Sequence, residues 1–172
     1  MDPLRELFRY HSWATLRLLD HCALLSEPDL NGTVPGTYGT VHNTLWHIVA
    51  ADGRYIHRLQ TGRRKPPLPE GTPTPTLAEL RSQFQEQMRV WEGLLDRVDE
   101  LDVTMEPQPD EDPPWPATPH AEDLLIAQAV HHGNDHRTQI CTYLGARSLP
   151  VPEIDVWAYW LETKHGIALT PA

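Results

Sequence analysis

Proline is spread so unevenly along this chain that it dictates where helices can run. Of 17 prolines, Pro66, Pro67, Pro69, Pro73 and Pro75 form one cluster, and Pro107, Pro109, Pro113, Pro114, Pro116 and Pro119 form another. A proline ring removes the amide donor and clashes with the preceding turn, so neither stretch can be helix interior. Long proline-poor segments lie on either side. This punctuation divides the chain into four helical blocks and a short tail.

Each block carries an apolar stripe at helical spacing. The first spans about 3–25, with Asp2 as N-cap, Pro3 in the first turn, and Leu4, Leu7, Phe8, His11, Ala14, Leu18 and Cys22 on one face. The second spans about 39–60, with Val41, Leu45, Ile48, Val49, Ile56 and Leu59 as its stripe. The third spans about 77–101, opened by a Thr76/Glu79 capping box. The fourth spans about 121–144 and is expected to stop at Gly145. In the tail, EIDVWAYWLET suggests a short helix over about 153–163, with aromatic bulk to cover an end of the bundle or a second subunit. No segment alternates with period two. The expected fold is therefore all-α: one domain over 1–172, a four-helix bundle with long proline-rich connections and a short C-terminal helix.

A net charge of −10 argues against a polyanionic partner, because nucleic-acid affinity rests on Lys and Arg at phosphates. The longest apolar runs fall far short of the ~20 residues that a membrane span needs. The N-terminus MDPLRELFRY lacks the basic and apolar regions of a signal peptide. The expectation is a cytoplasmic protein acting on a small molecule, with neither nucleic acid nor membrane as partner. Two cysteines, Cys22 and Cys141, sit among apolar neighbours and read as buried free thiols.

The chain has 10 histidines, and two of them form the sharpest local pattern. In AVHHGNDHRTQI, His132 and His136 stand four apart, so both rings project from one side of a helix and can reach one ion. Leu125, Ala129, Gln139, Ile140 and Tyr143 share that side, which places the pair on the buried face. Ala129 and Gly133 are small and suggest room for an ion. A third ligand must come from another helix, either His47 at the edge of the second stripe or His11 at the centre of the first. His131 points elsewhere, and His21, His42, His57, His120 and His165 read as surface residues. Asp52, also on the second stripe, is a candidate outer carboxylate for a ligand. Three imidazoles leave an open coordination position, the mark of a catalytic rather than a structural site. Gly133 follows His132 where an HExxH protease has Glu, and no carboxylate shares the His face, unlike a ferritin-like di-iron site.

Four segments in order resemble the DinB family, a group read as metalloenzymes: YHSWATLRLLDH, YGTVHNTLWHIVAADGRYIHRL, HHGNDHRTQICTYLGARS and PEIDVWAYW. The resemblance implies a four-helix bundle, often a homodimer, and a metal site on His47, His132 and His136. It thereby selects His47 over His11. Zinc is the first expectation for the ion, with nickel, iron or manganese as other candidates. Bundles of this type include bacillithiol transferases and mycothiol-dependent isomerases. The resemblance therefore implies metal-assisted transfer of a low-molecular-weight thiol, with His11, Asp52 and Gln139 as pocket candidates. A metal-dependent hydrolase and a non-catalytic, metal-binding stress-response protein are the alternatives.

Overall fold

A computed structural model describes residues 2–108 and 114–168. The described residues form six α-helices: α1 (Pro3–Cys22), α2 (Glu27–Leu30), α3 (Val41–Thr61), α4 (Leu77–Leu95), α5 (Glu122–Ala146) and α6 (Val156–His165). Among them no strand forms; two isolated antiparallel bridges, Met105 with Thr118 and Gln108 with Trp115, pin the connection between α4 and α5. Pro109 and Pro113 of the second proline cluster lie outside the described residues. No helix is long and apolar enough to cross a membrane among the residues described.

The helix starts follow from their caps. Asp2 accepts from the Leu4 and Arg5 amides at 3.0 and 3.3 Å, Thr40 from the Asn43 amide at 3.0 Å, and Asp155 from the Ala158 amide at 2.7 Å. Thr76 and Glu79 close a reciprocal capping box. Four helix ends differ from the sequence expectation. The first helix stops at Cys22, short of about residue 25. The third block breaks at Leu95 and resumes only as a single 3₁₀ turn, Val98–Glu100. The fourth runs through Gly145 to Ala146, and the left-handed residue that ends it is Ser148, φ 55°. The tail helix begins at Val156 because Asp155, not a residue near Glu153, supplies the cap. The four-residue α2 was not expected; Ser26 caps it ahead of Pro28.

The four long helices close on one another: α3 packs on α4 and α5, and α1 packs on the same two. Their stripes meet in one core that includes Leu18, Leu45, Ile48, Phe84, Trp91 and Ile140. The fifth long-range element, α6, is strapped to α1. Tyr159 is buried against Tyr10 and Trp13, and Lys164 and Tyr159 reach Glu6 at 2.8 and 2.5 Å. Those two partners hold the Glu6 carboxyl down at about 2. Trp157 of the same helix stays 79% exposed. Cys22 is buried and Cys141 half-buried, both as free thiols.

Candidate metal centre

The i, i+4 spacing on α5 brings His132 and His136 together, with ring centroids 4.4 Å apart. The ring of His47 on α3 meets both, at 4.8 Å from His132 and 4.7 Å from His136. The Nε2 atoms of His47 and His132 face each other at 2.9 Å. One nitrogen from each of the three rings lies within 4.8 Å of the others. Two nitrogens bound to a tetrahedral zinc at about 2.0–2.1 Å stand roughly 3.3 Å apart. Small ring movements therefore separate this cluster from a ligand set.

The surroundings keep the rings ready to bind. Gln139, one turn beyond His136, accepts from His136 Nδ1 at 2.9 Å and from the Tyr38 amide at 3.1 Å. With Nδ1 committed to an amide oxygen, Nε2 is the His136 nitrogen left to face an ion. The Tyr38 ring stacks on His47 at 4.0 Å and meets His136 edge-on at 5.1 Å. Burial, then repulsion from His136 and Arg54, pushes His47 down to about 4. Burial and repulsion from His136 and His47 push His132 down to about 3. Both rings are therefore neutral at physiological pH, as ligation requires. The donor set fits a divalent transition ion: three imidazoles, one of them held by an outer partner.

Two predictions arise here. Gln139→Ala removes the partner of His136 Nδ1, and metal affinity is expected to fall about ten- to a hundredfold in a competition titration. Metal-free protein is expected to lose stability as pH falls from 6.5 towards 4, because the unfolded chain protonates histidines that the fold keeps neutral. Urea midpoints measured across that range should slope less in a His47→Gln/His132→Gln variant.

His11 and Asp52 lie elsewhere. Both are buried, and neither lines the cleft that opens beside His47. Asp52 touches none of the three clustered histidines; its carboxylate accepts from Trp91 Nε1 at 3.0 Å and meets His11 Nε2 at 3.3 Å. On its other side, His11 Nδ1 meets Arg137 Nη1 at 2.9 Å. A guanidinium only donates, so Nδ1 accepts, and the His11 proton sits on Nε2, directed at Asp52. Arg137, buried beside His136 in sequence, also donates to Thr15 at 2.9 Å. Gly133 serves this network. A Cβ there would stand 2.3 Å from His11 Cε1, so the missing side chain makes room for His11. Among the other histidines, His131 is exposed and pairs with Asp135 at 3.2 Å, His120 and His165 are exposed, and His21, His42 and His57 are half-exposed.

The sequence reading gives no site role to Tyr38, Trp91 or Arg137, although Tyr38 and Arg137 fall within the segments that resemble the family. Tyr38 sits in a connection with no periodic signal. Arg137 had one: it falls on the apolar side of its helix, between Gly133 and Ile140.

Beside His47 the surface opens into a cleft of about 940 Å³, walled by α3 and by the proline-rich connection between α3 and α4. Fold and cluster together define an all-α protein with a three-histidine group able to hold a metal ion. The chain belongs to the DinB family, whose model matches residues 1–165. No curated protein matches the sequence significantly.

Proposed function

We propose that this protein is a metal-dependent enzyme that transfers a small-molecule thiol to an electrophile. The observation that carries the reading is the one-sided cluster. Three imidazoles converge, no further His, Cys, Asp or Glu joins them among the described residues, and His47 faces a large cleft. A structural zinc site is closed by four protein ligands. When bound, a divalent ion at such a site lowers the pKa of a thiol that takes the remaining position.

The protein's own residues do the rest. His47, His132 and His136 hold the ion, and Gln139 fixes the tautomer of His136. Tyr38 covers His47 and shields one side from water. The cleft wall of Trp46, Leu68 and prolines suits an organic substrate better than water, which favours thiol transfer over hydrolysis. In the reaction the thiol loses its proton to solvent, its sulfur bonds to the electrophilic carbon, and the leaving group departs with the carbon–leaving-group electron pair. The cytoplasm, where such thiols stay reduced, is the compartment this reading requires.

The test is a screen of reduced low-molecular-weight thiols against chloroaromatic electrophiles, using metal-loaded and chelator-treated protein. Thiol consumption that needs the metal and disappears in His47→Ala supports the reading. Loaded protein that never exceeds the uncatalysed rate would favour a non-catalytic metal-binding protein instead.

A further inference from the structure

The cleft beside His47 is charged against the trend of the molecule. The chain carries −10 overall, with 24 acidic against 14 basic residues. Yet the cleft is lined by Arg54, Arg64 and Lys65 with no carboxylate among its described lining. Arg64 has interactions of its own. Arg54 differs: it makes no ion pair or hydrogen bond among the described residues. It is half-buried and lies two turns after His47, so Asn43, His47, Ala50 and Arg54 form one stripe along α3 that faces the cleft. Helical side chains lean towards the N-terminus, which tilts the Arg54 guanidinium back towards the turn that bears His47.

Lys65 completes the arrangement from the opposite wall. Its Nζ lies against α3 at Gly53, 3.3 Å from where a Cβ on that glycine would stand. Two cations from separate segments thus line the same cleft as His47. Positive charge in a partly enclosed groove concentrates anions there.

We propose that the substrate is an anionic thiol, whose carboxylate docks between Arg54 and Lys65 while its sulfur reaches the His47 end of the cleft. This rests on the thiol reading above and adds the substrate's charge to it. Arg54 rises about 10 Å along the helix from His47, and its lean shortens the span to that of a chain of several carbons.

The probes are mercaptohexanoate and its uncharged counterpart mercaptohexanol. Each is titrated into cobalt-loaded protein, with thiolate-to-cobalt absorption as the readout. The carboxylate is expected to bind about tenfold more tightly in the wild-type protein. That preference should vanish in Arg54→Gln/Lys65→Gln, with mercaptohexanol affinity unchanged. A metal-free arm separates the two ideas: plain hexanoate should shift the Arg54 Nε–H resonance without any metal. If hexanoate shifts that resonance but neither thiol alters the cobalt spectrum, thiol chemistry is overturned and the acid-binding cleft is upheld. Equal affinity for the two thiols, or a preference that survives the double substitution, overturns the proposal.

Discussion

Asp52→Ala is expected to destabilise the protein by about 3–5 kcal/mol, a large share of the roughly 5–15 kcal/mol that holds a domain folded. The residue is 1% exposed and answers two buried donors, His11 Nε2–H and Trp91 Nε1–H. It also supplies the negative end of a chain that starts at the Arg137 guanidinium and passes through His11. Burial already pulls Arg137 below its ordinary pKa, and Asp52 is among the groups that offset this. Without the carboxylate, a buried cation loses its counter-charge and two N–H groups lose their acceptor. Asp96→Ala is the matched control. It breaks an exposed pair with Arg5 and should cost about 0–1 kcal/mol. Urea midpoints at equal slope measure both. An Asp52 loss as small as the control's would mean that the buried chain contributes nothing to the fold.

His132→Ala is expected to have the largest effect on metal binding. Its Nε2 faces that of His47, and its ring lies against His136, so it joins the two halves of the cluster. Removing it leaves one imidazole on each helix. Affinity should fall by more than the ten- to hundredfold typical of losing an outer partner. A thermal scan reads this directly. Free metal at a thousand times its Kd stabilises a one-site protein by about 4 kcal/mol, a shift that the wild type should show and the variant should lack.

Proline punctuation and caps made the helices legible from sequence, because both act within a few residues. Asp2 with Pro3, and Thr76 with Glu79, place two helix starts with no tertiary information. The partners of His11 were not legible, since Asp52 and Arg137 lie 41 and 126 residues away. Their pairing depends on which helices become neighbours. For the same reason Gly133 read as space for an ion, when a ring from α1 fills that space. On α5, His132 and His136 stood out by spacing alone. His47 did not, because it is only half-buried and sits at the edge of its stripe; the family resemblance, not the helical wheel, selected it. That edge position has a physical reason, since a ligand on an open site must face both the cluster and the cleft.

Elemental analysis of protein purified without a histidine tag tests the central claim most directly. One transition-metal ion per chain is expected, and none in the His47→Ala/His132→Ala/His136→Ala variant. Wild-type protein that takes up no transition metal even when it is supplied in excess would contradict the account, as would uptake that the triple substitution leaves unchanged.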